Sequence, residues 1–66
     1  MEFRNTYTIE DCYCSAETEN AILVESEDFE GWIPQSQIDD RSEVWKKGDK
    51  GALRISEWIA TQKGIL

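Results

Sequence analysis

Ala21-Ile22-Leu23-Val24-Glu25-Ser26-Glu27-Asp28-Phe29-Glu30-Gly31-Trp32-Ile33-Pro34 is the stretch on which the fold turns. Ala21 to Glu25 is a short apolar run, of the kind that lies in a sheet buried on both faces. Ser26-Glu27-Asp28 reverses the chain. Phe29 to Ile33 returns as a second strand. Pro34 ends its regular pairing, because proline has no N–H to offer. The unit is a hairpin, and its turn is rich in acid.

Working outward, Phe3, Tyr7 and Ile9 alternate with polar residues, which predicts a first strand near residues 3–9. Cys12 and Cys14 share a parity and Tyr13 takes the other. They form either a second strand, 12–16, or the first strand continued past a bulge. Glu17-Thr18-Glu19-Asn20 reads as a polar turn. Beyond the hairpin, residues 35–41 read as a short irregular connection with Ile38 turned inward, and Val44-Trp45 as a brief apolar step. Residues 46–51 form a turn with two glycines suited to positive φ. Ala52 to Ile55 is the last strand.

Ser56 then caps a helix that carries Glu57 in its first turn. Ile55, Trp58, Ile59 and Gln62 follow i, i+3, i+4, i+7 spacing, which predicts that Trp58 and Ile59 dock on the sheet. Lys63 falls in the last turn, Gly64 at the C′ position, and Ile65 closes the cap. The fold class is α+β, mostly β. It is a small bent antiparallel sheet, or an SH3-like or OB-like partial barrel, of four to five strands with one short C-terminal helix. Residues 1–66 make a single domain. A chain this small buries only about 60% of the surface it exposes when unfolded, so Trp32, Trp45 and Trp58 weigh heavily in any core.

Residues 20–65 carry a compound signature: Ala21-Ile-Leu-Val-Glu, Trp32-Ile-Pro-Gln-Ser-Gln-Ile38, Ser42-Glu-Val-Trp-Lys-Lys-Gly-Asp-Lys-Gly51, and Ile55-Ser-Glu-Trp-Ile-Ala60 with Lys63-Gly64. This resembles a group of small phage and prophage proteins, and implies an origin on a mobile element more firmly than an activity. The hairpin tip departs from that pattern. Where the group carries a turn like D-G-E-E, this chain has Ser26-Glu27-Asp28-Phe29-Glu30. Small acidic phage proteins include anti-CRISPR proteins, several of which imitate DNA. That likeness is one of type, and no motif in the chain carries it.

The chemistry that can be set aside is broad. There is no histidine, which removes the usual general base and the usual triads. Cys12 and Cys14 fall short of the four ligands of a structural zinc site, and an i, i+2 disulfide would strain the backbone. They read as free thiols packed as small apolar groups. Residues 48–51 lack phosphate-loop spacing. The expectation is no enzyme, no catalytic residue, no metal and no cofactor. No basic-then-apolar leader stands at the N-terminus and the longest apolar run is four residues, so the expected location is the cytoplasm of the bacterial host cell, with no membrane partner.

Charge is the informative property. Net charge is −7, and residues 1–40 hold eleven acids against one base, Arg4. Residues 41–66 hold six bases and three acids. A surface of this kind repels nucleic acid and attracts basic proteins. The bland reading is a solvated face that keeps the chain soluble. Two features favour a functional one: bases are missing among the acids, and Glu17/Glu19, Glu25/Glu27 and Asp28/Glu30 fall at i, i+2, where an extended strand sets them roughly 6–7 Å apart on one face.

The leading expectation is therefore an anti-CRISPR-type DNA mimic occupying the DNA-binding groove of a basic protein, a CRISPR effector subunit by analogy. Its contacts are Glu25, Glu27, Asp28, Glu30, Asp39 and Asp40, extended by Glu10, Asp11, Glu17 and Glu19, with Phe29 or Trp32 for apolar grip. Trp32 is exposed if Ile33 faces inward, and buried otherwise. The alternative is an accessory module of phage replication or recombination that uses Trp32, Pro34 and Trp45 to bind a peptide or single strand. The chain is expected to be a monomer or a weak homodimer, the lysine turn of one copy attracting the acidic half of another.

Overall fold

The structure is a computed structural model and describes residues 2–66. Four strands form one open antiparallel sheet: β1 (Thr6–Glu17), β2 (Ala21–Glu25), β3 (Glu30–Pro34) and β4 (Lys50–Ser56), in the order β3-β2-β1-β4. A 3-10 turn (Gln35–Gln37) follows β3, and a single helix, α1 (Glu57–Gln62), follows β4.

The ambiguity around Cys12 resolves in favour of one long strand. β1 runs unbroken for 12 residues, with a register shift between Ile9 and Cys12 against β4 and another between Cys14 and Ala16 against β2. Asp11 sits at the first of these with φ of 50°. Each bulge adds local twist. The strand thus serves two neighbours: it pairs with β4 from Thr6–Ser56 to Tyr13–Lys50 and with β2 from Tyr13–Glu25 to Glu17–Ile22, so that only Tyr13 and its surroundings are flanked on both sides.

The inner face follows the sequence parity. Cys12 and Cys14 of β1, Ile22 and Val24 of β2, Ile33 of β3, and Leu53 and Ile55 of β4 are all fully buried. Ile38 and Val44 close the core from the connecting segment, and Ile59 and Ala60 from the helix. Burial first, and the neighbouring Cys14 second, push the Cys12 thiol up to about 11. Burial raises the Cys14 thiol too. Both behave as apolar side chains at neutral pH.

The connecting segment lies along the outer edge of β4. Ile38 bridges Ile55. The N–H groups of Asp39 and Glu43 donate to the carbonyls of Arg54 and Ala52, each at 2.9 Å. In return, Ser42 Oγ accepts from the Arg54 N–H (3.1 Å) and Glu43 Oε1 from the Ala52 N–H (2.8 Å). Two side chains thus supply acceptors that a fifth strand's backbone would have supplied.

The helix is capped at both ends as its sequence predicts. Ser56 Oγ accepts from the Ile59 N–H (3.2 Å) and donates to Gln37 Oε1, which ties the helix start to the 3-10 turn. At the other end the Ile65 N–H donates to the Ala60 carbonyl and the Gly64 N–H to the Thr61 carbonyl, with Gly64 at φ of 74°. This is a Schellman closure with Lys63 as the cap residue.

One expectation fails here. Trp58 is 60% exposed. The apolar spacing that placed it inward counts from Ile55, but Ile55 belongs to β4 and not to the helix. Within α1 itself the buried side chains are Ile59 and Ala60.

Candidate functional site

The acidic residues do not form one row along the molecule. β1 and β2 run antiparallel, so their connecting turn and the β2–β3 turn lie at opposite ends of the sheet. Glu17 and Glu19 belong to the first end, where Glu17 Oε1 accepts from the Lys47 N–H at 3.2 Å. Glu25, Glu27, Asp28 and Glu30 belong to the second. Glu10 and Asp11 join them, because β1 extends past the end of β2 after the Tyr13–Glu25 pair.

Asp39 leaves the expected set altogether. Its side chain is fully buried. Its carboxylate accepts from the Phe3 N–H (2.8 Å), from the Arg41 N–H (2.9 Å), and from Arg41 Nε (2.7 Å) and Nη2 (2.9 Å). The Arg41 guanidinium holds this carboxyl well below the usual carboxylate range. Asp39 is a clamp between the N-terminal segment and the β4-side connection, and a partner cannot reach it. Asp40 is exposed beside it. Nothing in the spacing of Asp39 revealed this, since the Phe3 N–H comes from 36 residues away.

Six carboxylates remain together: Glu10, Asp11, Glu25, Glu27, Asp28 and Glu30, all exposed. Among the described residues none of the six is ion-paired. The strand pitch predicted for the i, i+2 pairs is not realised, because Glu27 and Asp28 lie in the turn and not in a strand. The close pair is a different one. Glu25 and Glu30 stand directly opposite each other across the hairpin. The ladder bonds around them show that theirs is a non-hydrogen-bonded pair, the kind in which side chains approach most closely. Like charges so placed are destabilising.

Four of these acids, Glu10, Asp11, Glu27 and Asp28, line a depression of about 420 Å³ between residues 7–11 of β1 and residues 26–29 of the turn, closed by Gly64 and Ile65. Tyr7, Ile9, Phe29 and Ile65 give it apolar walls, and all four pack on the core. Phe29 is half-buried and lies over Gly31, where a Cβ would come within 2.8 Å of its ring. Negative rim and apolar walls together suit a cation carried on a hydrocarbon stem, such as a lysine or arginine side chain. No group of acids and cysteines among the described residues is arranged to hold a metal ion.

On the outer face of the sheet Trp32 is 42% exposed, beside Leu23 and Pro34, while Ile33 is fully buried. Tyr13, also 42% exposed, completes a row across all four strands: Glu30, Glu25, Tyr13, Lys50. Trp45 does not join Trp32. It is held in its loop by an indole Nε1–H bond to the Ser42 carbonyl (2.9 Å) and packs on the core. Among the described residues no helix is long and apolar enough to cross a membrane.

No protein-family model, no curated protein and no solved structure matches this chain.

Proposed function

We propose that the chain is an acidic decoy that occupies the nucleic-acid-binding groove of a basic protein. One observation carries the reading: six carboxylates, none of them ion-paired among the described residues, converge on one end of the sheet, two of them set face to face at a cost in stability. A protein that needed acids only for solubility would gain by spreading them or by interspersing bases. Lysines and arginines that ordinarily meet phosphates would meet Glu10, Asp11, Glu25, Glu27, Asp28 and Glu30 instead, with Phe29 giving apolar grip. Association would be fast and would weaken with salt. The resemblance to phage proteins points the proposal toward a CRISPR effector subunit as the basic partner.

The test is capture from a CRISPR-bearing bacterial lysate at low and high salt, followed by competition with duplex DNA. The triple variant Glu27→Lys, Asp28→Lys, Glu30→Lys should lose the captured protein while its circular dichroism stays native. The double variant Glu17→Lys, Glu19→Lys, altered at the opposite end, should keep it. Retention by the triple variant removes the proposal.

A second reading rests on Trp32, exposed beside Leu23 and Pro34. As a peptide-binding module of phage replication or recombination, the chain would bind through this patch in a salt-tolerant way, and Trp32→Ala would abolish capture.

A further inference from the structure

The two edges of the sheet differ. That of β4 is covered by residues 38–43, as described above. Among the described residues, no backbone group is bonded to the outer edge of β3.

The phase of the β2–β3 ladder determines what that edge offers. The Ser26 N–H donates to the Phe29 carbonyl (2.7 Å) and the Gln35 N–H to the Asn20 carbonyl (2.8 Å). Between them the register runs without a shift from Ala21–Pro34 to Glu25–Glu30. Hydrogen-bonded and non-bonded pairs alternate, so Ile22–Ile33 and Val24–Gly31 are the bonded ones. Glu30 and Trp32 therefore turn both their N–H and their C=O outward. Pro34 has no N–H, and as N-cap of the 3-10 turn its carbonyl is taken up there.

We infer that the chain pairs with a second copy of itself through β3, antiparallel, about a two-fold axis at Gly31. In this register Glu30 stands opposite the partner's Trp32, and Trp32 opposite the partner's Glu30. Each exchanges both backbone bonds, so four bonds satisfy every outward group of the two residues on both copies. Contacts of this kind are self-complementary, as a two-fold interface requires.

The neighbouring registers of the same parity fail. An axis at Glu30 sets two like charges directly opposite. An axis at Trp32 sets Glu30 against a proline that cannot donate and whose carbonyl is engaged. Gly31 suits the axial position, where non-bonded partners approach to about 4.5 Å between Cα atoms. It carries no side chain, and Phe29 already fills the space beneath it. The half-exposed Trp32 would be covered by the partner's Glu30 stem.

The charge of −7 on each copy opposes pairing. In the Gly31 register the two Glu30 residues are diagonal neighbours, about 8 Å apart, which is comparable with the Debye length at physiological salt. The contact is short and the dimer weak, populated near millimolar concentration and strengthened by salt. Decoy binding has the opposite salt dependence, so the two ideas stand or fall separately.

The experiment is sedimentation and amide hydrogen exchange on the full chain, from micromolar to millimolar, in low and high salt. The mass should rise from 7.6 kDa toward twice that value, further in high salt. The Glu30 and Trp32 amides should slow by at least about tenfold as the dimer forms. Trp32→Pro removes an outward N–H and leaves the β2 ladder intact, so it should abolish dimerisation with core resonances unchanged. Glu30→Gln should tighten the dimer and flatten its salt dependence. A chain of monomeric mass in every condition overturns the inference. So does a dimer that survives Trp32→Pro, or protection of these two amides that appears only with a foreign basic protein.

Discussion

Replacing Glu30 by glutamine should stabilise the fold. The substitution keeps the shape of the side chain and removes its charge. Glu25 and Glu30 are cross-strand partners in a non-hydrogen-bonded pair, with Cβ atoms about 5 Å apart. Two unit charges about 5.5 Å apart in a medium close to water repel by about 0.7 kcal/mol. Glu27 and Asp28 add smaller terms of the same sign. In a domain of this size about 0.7 kcal/mol raises Tm by roughly 3–5 °C.

The assay is urea and thermal unfolding of Glu25→Gln, Glu30→Gln and the double variant, at low ionic strength and again near 1 M salt. The double-mutant cycle should return a repulsive coupling of about 0.5–1 kcal/mol at low salt. Near 1 M salt the Debye length falls to about 3 Å and the coupling should vanish. A coupling of zero or of attractive sign at low salt would refute the reasoning. So would a gain that persists unchanged in high salt, since that would trace to strand propensity. The same variants should weaken capture of a basic partner, so stability and binding move in opposite directions.

Ile33→Ala should cost about 2–5 kcal/mol, because the side chain is fully buried; Trp32→Ala, one residue away on the outer face, should cost under half as much, and chemical denaturation of both variants checks the facing of β3. Ser56→Ala should cost about 1 kcal/mol by removing the helix cap, with a larger loss if the bond to Gln37 also matters, read from the urea midpoint. Stability should fall in alkali: the unfolded Cys12 thiol ionises near pH 9 and the folded one near 11, so its contribution is intact below pH 9 and lost as pH rises through 11. The difference between the parent chain and Cys12→Ala across that range isolates the effect.

Local patterns in the sequence carried the fold a long way. Alternation set Ile33 and Trp32 on opposite faces without deciding which one turns inward, the turn residues located the hairpin, and Ser56 and Gly64 marked the helix ends. What stayed illegible depended on distant partners or on phase. Whether β1 breaks at Cys12 hinges on a bulge that lets Asp11 adopt positive φ, and no residue type announces it. Trp58 was misplaced because a helical count began on a strand residue. Asp39 looked like one more surface acid until Arg41 and the Phe3 amide closed around it. The acids likewise share a region through the long reach of β1 beyond β2, a matter of strand length that charge spacing does not encode.

The covering of β4 by Ser42 and Glu43 has a consequence for solubility under crowding. A sheet with two receptive borders can polymerise, each added chain presenting a fresh border for the next. Here the β4 border is sealed by the chain's own loop, so pairing through β3 would stop at two copies and leave no β4 edge for a third.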